Sequence, residues 1–306
     1  MKKAAGGTED TSAEGTAAAS PQATLRPILV PLDGSDLAEQ ALPYAEALAA
    51  PGCQLILLEV GQDEEEFHLQ DRHEGACARV ETAIGDPAQQ ILQMAQQLGV
   101  GLIVMTTHGR GAIGRWAFGS VADQVSRNSP VPVMIIRPGD GESPPDPAIR
   151  RVLVPLDGST LSTNALQTAE AIAHQVNAPV HLVTAVDLTR LLPVELAPTI
   201  ALNADLYEQE VTQAQRDAEE WLADAATQLR QEGVDVTQHV RVGAPYAVIQ
   251  ELVQPGDVIV LASRGRHGVT RLVMGSLAEQ LVREAPVPAV LVPATGDEAG
   301  QDIMRQ

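Results

Sequence analysis

Short runs almost continuous in valine, isoleucine and leucine recur along the chain, separated by segments whose apolar residues return every three or four positions. The runs lie at 27–32, 54–60, 77–83, 101–107 and 131–137, then at 151–156, 179–186, 235–242, 257–263 and 287–292. Apolar runs of this kind mark strands buried on both faces. After the first run, Leu37, Ala41, Leu42, Ala45 and Leu48 form a helical stripe; Ala165, Leu166, Ala169, Ile172 and Ala173 form its twin. A long polar pattern over 203–232, carrying Leu206, Val211, Trp221, Leu222 and Leu229, predicts one further helix. Strands alternating with helices require crossover connections, which are right-handed and build parallel sheets. The class is α/β.

The pattern occurs twice. Ile28-Leu-Val-Pro-Leu-Asp-Gly-Ser35 returns as Val152-Leu-Val-Pro-Leu-Asp-Gly-Ser159, and Gly119-Ser120 returns as Gly275-Ser276. The offset grows from 124 residues (28 to 152) to 156 (119 to 275), so the second copy holds about 32 extra residues, among them 203–232. The acidic stretch 61–75 of the first copy is too short for such a helix, which predicts a missing layer there. Residues 1–24, rich in Ala, Gly, Thr, Ser and Glu, read as a disordered tail. The copies then span 25–138 and 149–295, joined by a Pro/Gly-rich linker over 139–148, with a frayed tail at 296–306.

Composition narrows the function. The 306 residues carry 40 acidic and 20 basic side chains, a net charge of −20 that repels phosphate backbones and anionic lipid. Nucleic acid and membrane are therefore not expected partners. No apolar run approaches the ~20 residues of a membrane span, and the N-terminus has no secretory apolar core. A cytoplasmic protein is expected. Lysine occurs only at positions 2 and 3, which removes the lysine of a Walker-type phosphate loop. Two cysteines, Cys53 and Cys77, make no disulfide framework.

Candidate chemistry gathers at the carboxyl ends of strands, where open α/β sheets bind ligands. Asp33 and Asp157 follow the first strand of each copy; each can accept hydrogen bonds from a ribose or an adenine edge, or, with Ser35 and Ser159, simply cap the next helix. After the fourth strand come His108-Gly109-Arg110 and Arg264-Gly265-Arg266, each glycine followed after nine residues by Gly119-Ser120 or Gly275-Ser276. Glycine lets backbone N–H groups approach an anion, and a helix start favours phosphate. Arg110, Arg115, Arg264, Arg266 and Arg271 lie in these loops, which contain no acid. The alternative is a Gly-rich turn with arginines lying over the core.

These spacings resemble the universal stress protein family, whose members carry G-x2-G-x9-G-[ST] after strand 4 and an aspartate after strand 1. The resemblance covers nearly all of both copies and implies two doubly wound domains, each a five-stranded parallel sheet in the order 3-2-1-4-5. It also implies ATP, with magnesium or manganese. Carried over by residue, Asp33 and Asp157 would contact adenosine; Val60 and Val186 would offer backbone groups to adenine. Gly109, Gly119 and Ser120, with Gly265, Gly275 and Ser276, would hold ribose and phosphates; Arg110 and Arg266, from the acid-free loops, are expected to bind nucleotide with them. Gly85-Asp-Pro87 and Gly243-Ala-Pro245 match the family's turn after strand 3. The family's first glycine falls on Thr106 and Ala262, which puts side chains near the ribose.

The remaining histidines read as structural or solvated, and no residues in order or context suggest a catalytic triad. The expected function is a nucleotide-dependent stress regulator with at most slow ATP hydrolysis. An interaction module without nucleotide, a true ATPase, and AMP or a cyclic nucleotide as ligand stay open. The last strands, 131–137 and 287–292, are expected to pair within the chain as a pseudo-dimer that hides two sheet edges, with homodimerisation left open.

Overall fold

Each apolar run becomes a strand within two residues of its expected place. The computed structural model describes residues 25, 27–49, 54–63, 67–69, 78–107, 118–138, 146–187, 204–263 and 274–293. The first half contains β1 (Ile28–Leu32), α1 (Asp36–Glu39), α2 (Leu42–Leu48), β2 (Leu55–Gly61), β3 (Ala78–Ile84), α3 (Pro87–Gln97), β4 (Leu102–Thr106), α4 (Ser120–Asn128) and β5 (Val133–Ile136). The second contains β6 (Arg151–Pro155), α5 (Thr160–Val176), β7 (Val180–Val186), α6 (Ala204–Gln231), β8 (Val236–Val242), α7 (Pro245–Leu252), β9 (Asp257–Ala262), α8 (Ser276–Glu284) and β10 (Ala289–Val292).

The last strands pair as expected, which joins the two five-stranded sheets into one. Ten strands run in the order β3-β2-β1-β4-β5-β10-β9-β6-β7-β8, so each half keeps the order 3-2-1-4-5. Every pairing is parallel except β5 with β10, which is antiparallel and sets Ile135 opposite Ala289 and Met134 opposite Val290. That reversal points the carboxyl ends of the two halves in opposite directions along the sheet. Two apolar layers sandwich it. One, under α2, α5 and α6, runs across the seam from Val30 and Met134 to Val290 and Val154. The other lies under α3, α4, α7 and α8.

Two departures from the repeat have local causes. The stripe from Leu37 to Leu48 predicts one helix, but the chain forms α1 and α2 in place of the continuous 17-residue α5 of the second half. Pro43 brings no N–H, and its ring clashes with the carbonyl four residues back, so the helix restarts. The second departure is the 28-residue helix α6. In the second half, α6 buries Ala218, Leu222, Ala226 and Leu229 against the sheet. Between β2 and β3 of the first half, Leu69 is helical, and 64–66 and 70–77, where a matching layer would lie, are outside the described residues. Leu69 is fully buried there, and the backbone N–H groups of His68 and Leu69 donate to Glu59 Oε2 at 2.9 and 2.8 Å. Those bonds satisfy a carboxylate that is otherwise shut off from water.

At the amino ends of the second half's strands, Arg151 grips the buried Asp257 with two bonds of 2.7 and 2.6 Å. On the same end of the sheet, His181 Nδ1 and His239 Nε2 stand 3.0 Å apart with their rings stacked. Burial, then Arg151, lowers the pKa of His181 against the opposing pull of Asp257 and Asp235. Burial, then His181, Arg241 and Arg151, lowers that of His239. The native state therefore prefers neutral rings, while the unfolded chain binds more protons below the ordinary histidine value of 6.5. Their contribution is present above pH 6.5 and is lost as pH falls through the lowered native values. Thermal melts of the wild type between pH 8 and 5 should show an acid-side loss that is smaller in His181→Ile, a change that places at β7 the residue type Ile56 supplies at the same register in β2. Equal pH slopes would show that the pair stores no such linkage.

Candidate functional site

β1 lies between β2 and β4, so the crossovers diverge beside its carboxyl end. The turn that leaves it is a compact hydrogen-bonded unit. Ser35 donates to Asp33 Oδ1 through both its backbone N–H (3.0 Å) and its hydroxyl (2.6 Å), and its Oγ accepts from Ala38 N–H at 3.2 Å. The twin is atom-for-atom alike. Ser159 gives Asp157 Oδ1 bonds of 3.0 and 2.6 Å, and Ser159 Oγ accepts from Ser162 N–H at 3.2 Å. Gly34 and Gly158 between them have φ of 74° and 76°, a backbone conformation that favours glycine. Thus the capping role of Asp33 and Asp157 is real: each fixes the serine that caps α1 or α5.

The segment after the fourth strand is closed identically in both halves. Thr107 N–H donates to Ile136 O at 2.9 Å, and Thr107 O accepts from Gly119 N–H at 2.9 Å. Ser263 N–H donates to Val292 O at 2.8 Å, and Ser263 O accepts from Gly275 N–H at 2.9 Å. Gly119 and Gly275 are the N-caps of α4 and α8, with no side-chain cap on the helix amides. Ser120 and Ser276 open those helices. The acid in each first turn, Asp123 or Glu279, is paired with Arg127 or Arg283 one turn on. Gly109, Arg110, Gly265 and Arg266, with Arg115, Arg264, Arg271, His108 and His267, lie outside the described residues. Phe118 packs against the core beneath α4, and Met274 is buried in its twin position.

At the second strand the halves are offset. Leu55 stands opposite Ile28, and Val180 opposite Val152, so Gly61 is the register partner of Val186, and Val60 that of Ala185. The carbonyls confirm it: Gly61 O accepts from Gly85 N–H at 3.0 Å, and Val186 O from Gly243 N–H at 3.1 Å. Val60 and Val186, equated by the resemblance, are thus one residue apart. A shift of one turns a side chain to the other face. Sequence reasoning also missed Thr107 and Ser263, whose backbone closes the loops; their one signal is the matched position after β4 and β9. Thr106, where the family's first glycine would stand, is buried, and Ala262 ends β9.

Among the described residues no group of three His, Cys, Asp or Glu stands ready to hold a metal, and no helix is long and apolar enough to cross a membrane. The capping turns generate a stability prediction. Ser159→Ala should cost about 1 kcal/mol in chemical denaturation, since it removes the bond to Ser162 N–H. A loss under a few tenths would show that Asp157 caps the helix by itself.

The comparisons agree with this geometry. The universal stress protein family profile matches residues 59–137 and 148–293. A universal stress protein of Mycobacterium tuberculosis is 30% identical over 190 residues, 62% of this chain and 61% of its own length. One from Methanocaldococcus jannaschii is 27% identical over 149 residues, 47% of this chain and 81% of its own. The chain thus spans about three fifths of the curated mycobacterial relatives it matches. A solved universal stress protein from Archaeoglobus fulgidus shares the fold with a TM-score of 0.58 at 22% identity, covering 87% of this chain and 97% of its own. A functionally unknown protein from Pseudomonas aeruginosa does so at 0.64 and 19%, covering 92% and 96%. With the family matched in both halves, each ordered 3-2-1-4-5, this chain belongs to the universal stress protein family.

Proposed function

We propose that the chain binds adenine nucleotide, ATP foremost, at the carboxyl ends of both halves and acts in the cytoplasm as a nucleotide-dependent stress-response regulator. The observation that carries this reading is the duplicated closure at Thr107–Gly119 and Ser263–Gly275, which sets an uncapped helix start beside an Asp-Gly-Ser turn. Helix amides with no side-chain cap suit phosphate, and the acids nearest them are paired with arginines. Asp33 and Asp157 would meet the ribose or adenine, with Val60 and Gly61 at the carboxyl end of the first half's strands and Val186 at that of the second's. The residues suit an anion rather than a bare cation, so a magnesium or manganese ion would arrive held by the phosphates.

Hydrolysis would be slow. Oδ1 of each strand-end aspartate accepts two bonds from its serine, which makes it a poor base for water. A second reading, an interaction module without nucleotide, is favoured by one observation: Thr106 and Ala262 place side chains where the family has glycine.

Mass spectrometry of nucleotide released from the purified chain, followed by calorimetric titration with ATP, tests the proposal. ATP is expected at one to two per chain, with Gly275→Val abolishing one binding event. No heat at millimolar ATP would favour the interaction module. Turnover of about 1 per second or faster would make the chain an ATPase.

A further inference from the structure

Among the described residues three large apolar side chains stand well exposed, and two of them are twins: Ile84, 50% exposed, and Val242, 41%. Ile84 ends β3 and Val242 ends β8, the outermost strands of the sheet. Ile84 is the register partner of Gly61, and Val242 that of Val186, so each neighbours the last residue of its half's second strand. Each is followed by a glycine of positive φ, Gly85 at 134° and Gly243 at 149°. The N–H of that glycine closes onto Gly61 O at 3.0 Å or Val186 O at 3.1 Å. Backbone geometry therefore fixes both side chains at the same place beside the candidate sites.

The other exposed positions along these strands are polar: Arg79 and Thr82 on β3, Thr237 and Arg241 on β8. Polar residues suit an edge, because exposed apolar ones invite further strands. An aliphatic side chain left in water at the same point of both edges calls for a cover. Alternation along the strand sets its direction. Ala78 and Val80 of β3, with Val236 and Val240 of β8, pack into the layer under α2, α5 and α6, so Ile84 and Val242 fall on that face. The helices α1 and α5, which follow the Asp33 and Asp157 turns, join the same layer through Ala38 and Ala165. Each exposed side chain thus shares one end and one face of the sheet with an Asp-Gly-Ser turn. The strand orders β3-β2-β1 and β8-β7-β6 put two strand spacings, about 10 Å, between them.

We infer that Ile84 and Val242 are base-contacting residues, one in each site, and that the cover they await is the purine ring of the nucleotide. This rests on the nucleotide reading above. A base held at the end of the second strand lies between the Asp-Gly-Ser turn and the exposed aliphatic side chain. Polar atoms of the ribose and base then meet the turn, while the ring removes the aliphatic surface from water. The contact adds affinity for the nucleoside part of the ligand and none for its phosphates.

Calorimetry on the full chain with ATP and, separately, adenosine tests it in wild type, Ile84→Thr and Val242→Thr. Threonine keeps the branched shape and the strand preference but presents a hydroxyl in place of apolar surface. Each variant should weaken ATP and adenosine by the same factor, about fivefold, at one site and leave the other site unchanged. Melting temperatures should match wild type, since both side chains are exposed. Wild type that binds ATP, with both variants within about twofold of it, overturns the inference while the nucleotide reading stands. A loss of ATP with adenosine unchanged would place the contact at the phosphates and overturn it too. So would a loss that comes with a lowered melting temperature, which would make the side chains structural. Wild type that binds neither ligand removes both readings.

Discussion

The antiparallel pairing of β5 with β10 is the contact on which the rest of the molecule depends. A five-stranded parallel sheet of order 3-2-1-4-5 ends on its last strand, and that strand exposes a row of unpaired N–H and C=O groups. Here each half supplies the other's missing neighbour, with Val133, Met134 and Ile135 set against Leu291, Val290 and Ala289. The apolar layers on both faces then close across the join, and the outermost strands become β3 and β8. Both are more exposed than the strands beside them and carry charged or polar residues such as Arg79, Glu81, Gln238 and Arg241. Such side chains discourage further strand addition.

The candidate sites owe their form to backbone more than to side chains. The same closing bonds recur in both halves to within 0.1 Å, although the residues making them differ, Thr107 in one and Ser263 in the other. Side-chain identity matters where φ is positive, at Gly34 and Gly158, and where one carboxylate must hold one serine. Duplication kept this framework and let its surroundings diverge. The first half buries Leu69 and Glu59 beside β2.

The eight inner strands are legible in the sequence because strands buried on both faces are apolar almost throughout, whereas the edge strands β3 and β8 carry charged and polar residues. The repeat doubles the signal at Asp33-Gly34-Ser35 and Asp157-Gly158-Ser159, and the order of the strands follows only from the family resemblance that these motifs help to carry. What stays hidden is whatever depends on register. The residues preceding β2 and β7 differ in number, so aligning Val60 with Val186 by their neighbours is one position off, and only cross-strand pairing reveals Gly61 as the partner. The split of α1 from α2 was readable at Pro43, since the stripe continues through it while the hydrogen bonding does not.

Because both partners of the seam belong to one chain, its formation is unimolecular. Two separate copies would meet at a rate set by their abundance, whereas tethered halves meet at an effective concentration in the millimolar range typical of short connections. Pairing therefore survives dilution to any cellular level, and a cell cannot dissolve it by lowering expression. Each sheet edge also meets one fixed partner, never a copy of itself. A change on β5 is felt once rather than twice, which frees the two faces of the seam to evolve separately.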